Sequence, residues 1–120
     1  MFAQGYSPAE IAEMANGKLV GNPGQLKISV LLTDSRKLAS PIQTLFFAIK
    51  TSRGDGHNYI PELYNKGVRY FCVSQLPQTQ PAEACFILVK NTLESLQQLA
   101  AAHREHFKGV FNKNKAGLGR

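Results

Sequence analysis

The run Leu45-Phe46-Phe47-Ala48-Ile49 restricts this chain more than any other feature. It has five apolar residues without alternation and a polar loop at each end. That pattern suits a strand covered on both faces. A strand of that kind needs a sheet with helices layered against it, and the remaining sequence supplies both. Residues 28–32, 70–73 and 85–89 are further apolar runs of strand length, and residues 18–20 read as a short strand before the turn chemistry of Gly21-Asn22-Pro23-Gly24.

Helix patterns lie between and beside these runs. Ser7-Pro8-Ala9-Glu10 is a capping box with proline at the first helical position, and Gly17 is a natural stop, which predicts a helix over 8–16. Asn58 is a good N-cap for a second helix that carries Ile60, Leu63 and Tyr64 and stops at Gly67. Asn91-Thr92-Leu93-Glu94 repeats the cap-and-glutamate signature. Leu96, Leu99, Ala100, His103 and Phe107 then follow at helical spacing, so the longest helix is expected over 92–107. Residues 38–44 and 75–83 carry prolines and no period, and are expected as loops. Strands alternating with helices place the chain in the α/β class, with helices layered on a small mixed sheet. No internal repeat is visible.

A chain of 120 residues is one domain, with or without a tail. No apolar run approaches the roughly 20 residues that span a bilayer, so no membrane partner is expected. Cys72 and Cys85 lie inside strand runs without metal or redox spacing, as buried thiols of a reducing cytoplasm would. The net charge of +6 is concentrated at one end. Lys108, Lys113, Lys115 and Arg120 fall in the last thirteen residues, and without them 10 bases stand against 8 acids. The body is nearly balanced, so nucleic acid is not the expected partner. Residues 1–107 read as the domain and 108–120 as a basic tail: a linker or a cloning remnant.

Two polar loops carry the chemistry. Thr33-Asp34-Ser35-Arg36 closes the 28–32 run. The loop from Lys50 to His57 follows the 45–49 run and contains Lys50, Thr51, Arg53, Gly54, Asp55 and Gly56. If the two runs are neighbouring strands, the loops can converge on one hollow. Gly54-Asp55-Gly56-His57 precedes a helix, where free backbone N–H groups suit an anion. The same residues equally suit a tight turn with Asp55 as its cap. Ser35 has the hydrogen-bonding groups for a planar base or sugar, and Arg36 the charge for a phosphate. No Ser/His/Asp order, paired carboxylates or metal cluster stands out, so no catalytic or metal-binding residue is assigned.

At these residues the chain resembles the Mur ligases. The blocks are Thr33-Asp34-Ser35-Arg36, Leu45-Phe46-Phe47-Ala48-Ile49-Lys50, Asp55-Gly56-His57, and Gly67-Val68-Arg69 leading into Phe71-Cys72-Val73-Ser74. Val89-Lys90-Asn91-Thr92 and the run Ala100-Ala101-Ala102-His103-Arg104 fit the segment that leaves the family's N-terminal domain. The resemblance covers residues 5–107. It is strongest to the branch that adds D-alanyl-D-alanine to UDP-N-acetylmuramoyl-tripeptide, including forms fused to an alanine racemase.

What the resemblance implies is a cytoplasmic substrate-binding domain for peptidoglycan synthesis. Thr33, Asp34, Ser35, Arg36, Lys50, Thr51, Asp55, Gly56 and His57 would line the pocket for the UDP end of a muramoyl-peptide. Thr51 stands where the family often has glycine, which alters the loop. The family's ATP- and magnesium-dependent step uses a Gly-rich loop with lysine, and residues 109–120 contain none. The central ATPase domain and the C-terminal domain of the parent ligase are therefore expected outside this chain. Two other readings differ in class: a small basic protein binding nucleic acid through its tail, and a same-fold regulatory domain of a kinase.

Overall fold

The computed structural model describes residues 5–24 and 27–103. In chain order the helices are α1 (Pro8–Met14), α2 (Ile60–Asn65) and α3 (Thr92–His103). The strands are β1 (Lys18–Gly21), β2 (Val30–Leu32), β3 (Thr44–Phe47), β4 (Lys50–Thr51), β5 (Gly54–Asp55), β6 (Tyr70–Val73) and β7 (Cys85–Leu88). Short 3-10 turns occupy Ser35–Lys37, Pro41–Gln43 and Gly56–Tyr59. The expected extension of the last helix to residue 107, and the tail over 108–120, lie outside the described residues.

The main sheet has the order β1-β7-β6-β3-β2. β2, β3, β6 and β7 run parallel, and β1 closes the far edge antiparallel to β7. The apolar run at β3 behaves as its pattern requires. Leu45 and Phe47 point into one apolar cluster with Ile11, Ala12, Leu96 and Leu99, from α1 and α3. Phe46 and Ala48 point into the other, with Ile60 and Leu63 of α2. Alternate residues of a strand face opposite sides, so a strand between two helical layers must be apolar throughout. β6 divides the same way, with Tyr70 and Cys72 on one face and Phe71 and Val73 on the other. Phe71 sits at the centre of an aromatic row, stacked on Phe86 with ring centroids 5.6 Å apart and edge-on to Phe46 at 6.5 Å.

The helix ends follow local chemistry, with two corrections. At α1 the capping box forms in both directions: Ser7 N–H donates to Glu10 Oε1 at 2.8 Å, and Glu10 N–H to Ser7 Oγ at 3.2 Å. The helix ends sooner than expected because Asn16, not Gly17, takes the left-handed conformation, at φ 57°. Gly17 is needed for space, since a Cβ there would lie 2.8 Å from the Ile87 side chain and 2.9 Å from that of Val89. Asn58 does not cap α2. The 3-10 turn runs directly into that helix, so no break exists at Asn58 for a cap, and Tyr59 takes the cap position without a side-chain bond. At α3, Asn91 Oδ1 accepts the Glu94 N–H at 2.9 Å, as expected.

β2 is shorter than the apolar run that predicts it. Ile28 instead forms an isolated antiparallel bridge with Tyr6, and the Ser29 N–H donates to the Gln43 carbonyl. Residues 50–55, expected as loop, form the small antiparallel ribbon β4-β5, with Lys50 opposite Asp55.

Candidate functional site

In a parallel pair both strands end on the same edge of the sheet. β2 and β3 are such a pair, with Leu32 opposite Phe46. Thr33, Asp34, Ser35 and Arg36 therefore leave the same carboxyl edge as Lys50, Thr51, Asp55, Gly56 and His57. This is where ligands gather in open α/β sheets. The ends of β6 and β7 reach the same edge, and they bring Ser74, Gln75, Lys90 and Asn91 to it.

The first loop is held by Asp34. Its carboxylate accepts the Arg36 N–H at 3.0 Å and takes the guanidinium in a fork, from Nε and Nη2, each at 3.0 Å. This pairing raises the Arg36 pKa, through the hydrogen bond first and the charge of Asp34 second, with a further contribution from Tyr59. The Arg36 side chain is 85% exposed, and its charge faces solvent at the edge.

The second loop is a framed ribbon. Thr51 Oγ1 accepts the Arg53 N–H at 3.1 Å, which closes the tip. Lys50, Thr51, Arg53 and Gly54 are exposed. Gly54 has open space around its missing side chain, whereas a Cβ on Gly56 would lie 2.8 Å from the Ile49 nitrogen and 3.1 Å from the Ala48 Cα. Gly56 thus permits the chain to pack on its own backbone, and Gly54 is the glycine with an open side. Asp55 Oδ1 accepts the His57 N–H at 3.0 Å and lies 2.6 Å from His57 Nδ1. Its carboxyl is held below the ordinary range, chiefly by the His57 backbone N–H and then by the His57 side chain. Of the two chemistries the sequence left open for this turn, Asp55 carries out the capping, and its negative charge stands where an anion would meet the turn's N–H groups.

His57 Nε2 accepts the Ser74 N–H at 3.2 Å. With Nδ1 directed at a carboxylate, the ring is the tautomer that carries hydrogen on Nδ1. A hollow of about 250 Å³ opens beside these groups, lined by Asp55, His57, Asn58 and Ile60 on one side and by Gln75, Leu76, Pro77 and Gln78 on the other. It lies on the β6 side of the second loop, not between the two turns where the sequence suggested a shared hollow. Ser74 and Gln75 were missed as site residues. Only the strand order brings the end of β6 beside that of β3, and nothing local to those residues marks it. Among the described residues no group of three or more His, Cys, Asp or Glu gathers as a metal set, and no helix is long and apolar enough to cross a membrane.

A layered α/β domain with two polar loops on one carboxyl edge is the class of protein defined so far. The family model described as "Mur ligase family, catalytic domain" matches residues 27–104, and the chain belongs to the Mur ligase family. Among curated relatives, the chain is 38% identical over 95 residues to UDP-N-acetylmuramoyl-tripeptide–D-alanyl-D-alanine ligase of Bacillus subtilis (strain 168), a match covering 78% of this chain and 20% of the relative. It is 29% identical over 99 residues to the ligase of the same name from Haemophilus influenzae, covering 82% of this chain and 21% of that one. The chain thus spans about a fifth of the length of these relatives. In fold it is similar to MurF from Acinetobacter baumannii, with a TM-score of 0.73 at 24% identity, covering 88% of this chain and 22% of that structure.

Proposed function

We propose that this chain is the substrate-recognition domain of a ligase that joins D-alanyl-D-alanine to UDP-N-acetylmuramoyl-tripeptide in peptidoglycan synthesis, and that it binds the UDP end. The observation that carries the reading is the common edge of the two loops after β2 and β3, together with the activity that names the relatives. Arg36, Lys50 and Arg53 are exposed there and supply positive charge for a diphosphate. Ser35 and Thr33 supply short hydroxyls for a sugar or base. Thr51, Asp55 and Gly56 shape the second wall, and His57 holds that wall in place behind them. The domain comprises residues 1–107, with 108–120 as a basic tail, either a linker or a cloning remnant.

ATP and magnesium belong, in this proposal, to the parent ligase and supply the activation of the substrate carboxyl there. This chain's own residues hold and orient the nucleotide end. The parent's central and C-terminal domains are the partners on the same polypeptide, an alanine racemase fusion is one form the parent can take, and the compartment is the cytoplasm.

The test is an NMR titration with UDP-N-acetylmuramic acid, with an adenine nucleotide as control. Shifts confined to residues 33–36 and 50–58 are expected with the uridine ligand alone. Equal shifts with both ligands, or shifts clustered at Lys108, Lys113 and Lys115, would overturn the reading in favour of plain electrostatics. In that case binding should also fall steeply with salt.

A further inference from the structure

We infer that His57 is a positioning residue that locks the second site loop to the end of β6, and that it does not itself contact the ligand. The inference rests on the proposed uridine-nucleotide site and assigns one residue's role within it.

Both ring nitrogens are committed to protein groups. Nδ1 faces Asp55 Oδ1 at 2.6 Å, and Nε2 accepts the backbone N–H of Ser74 at 3.2 Å. A neutral imidazole has one donor and one acceptor, so no ring nitrogen is left for a ligand. The two bonds differ in reach. The Asp55 contact spans two residues and orients the ring, whereas the Ser74 contact spans seventeen and crosses from the β3 loop to β6. The ribbon that presents Lys50 and Arg53 is a two-residue pair on each side, which is not stable in isolation. Hydrogen bonds at its base include the Gly56 N–H on the Ile49 carbonyl at 2.9 Å and the Ser74 N–H on the His57 ring, while just before the ribbon the Ala48 N–H donates to the Cys72 carbonyl at 2.9 Å. Without the His57 bond, the incoming strand stays anchored to β6 through Ala48, but the return side of the ribbon loses its hydrogen bond to the end of β6. The cost falls on the ordering of the loop and hence on ligand affinity.

Two substitutions separate the bonds. In His57→Gln the side-chain oxygen lies three bonds from Cβ, as Nε2 does, and can still accept the Ser74 N–H. In His57→Asn the amide nitrogen lies two bonds from Cβ, as Nδ1 does, and can donate only to Asp55. Hydrogen exchange at Ser74 and residues 50–58, and affinity for UDP-N-acetylmuramic acid, are measured on the full chain. Expected is wild-type exchange and affinity within about threefold for His57→Gln. For His57→Asn, faster exchange and roughly tenfold weaker binding are expected, about 1.4 kcal/mol. The nitrogen-15 spectrum of the wild-type ring should show hydrogen on Nδ1 and a bare Nε2.

Loss of binding in both variants with wild-type exchange would make His57 a ligand contact and overturn the inference. Unchanged exchange and binding in both would overturn it too. If the wild-type chain fails to bind the uridine ligand while the exchange split persists, the lock stands and the proposed function falls.

Discussion

At Gly56 a single methyl decides whether the second loop can close. The chain packs there against the backbone of Ala48 and Ile49, which cannot swing aside as a side-chain tip can. Gly56→Ala should therefore cost about 1–3 kcal/mol, in the range of other overpacking substitutions, read as a lower urea midpoint. Gly54→Ala, in open space, should move that midpoint far less, and equal effects at both would contradict the argument. Asp55 gives a pH signature. Its folded-state pKa is depressed, so the unfolded chain binds the proton more readily. The stabilisation is present above the ordinary carboxylate value of about 4 and is lost as pH falls through the lower folded value. Thermal midpoints of wild type and Asp55→Asn should differ at neutral pH and converge in acid. A gap that stays constant down to about pH 2 would refute the assignment. Arg36 is exposed and already forked to Asp34, so Arg36→Gln should leave stability nearly unchanged while weakening the uridine ligand by about tenfold, as loss of a charge-assisted bond would.

Between elements, Thr92 joins the start of α3 to the end of β3. Its hydroxyl donates to the Ala48 carbonyl at 2.9 Å in a fully buried position. Thr92→Val keeps the shape and removes the donor, leaving that carbonyl short of a partner, at a cost of about 1–3 kcal/mol. Calorimetry on the two proteins checks this, and a change under 0.5 kcal/mol, roughly the scatter of surface substitutions, would show the carbonyl to be satisfied otherwise. This scale also separates what local sequence can reveal from what it cannot. β3 and β6 are legible because both faces are buried, which forces an apolar side chain at every position. The ribbon β4-β5 is not, because Lys50, Thr51 and Gly54 are exposed, Asp55 is only half-buried, and the four carry no period. The Asn58 cap was misplaced for a related reason. A capping residue marks a helix start only where the preceding chain is extended, and here a 3-10 turn precedes it.

Over the whole molecule, Cys72 and Cys85 report on global opening. Burial pushes their thiols up to about 12 and about 11, so neither offers a thiolate while the sheet is intact. Labelling by a thiol reagent near neutral pH should follow the unfolding transition seen by circular dichroism, with the same urea midpoint. Fast labelling in native buffer would mean that β6 and β7 open separately from the rest. The amino-acid sequence alone determined the apolar runs, the capping box at Ser7, the cap at Asn91 and the polar character of the two loops, because each depends on neighbours within a few positions along the chain. Only the tertiary structure decided that the loop after β6, not the one after β2, supplies the far wall of the hollow beside His57, and that this histidine is spent on Ser74. Both follow from the order in which distant strands pair, and that order is chosen by the packing of two complete faces, which no local stretch of the chain contains.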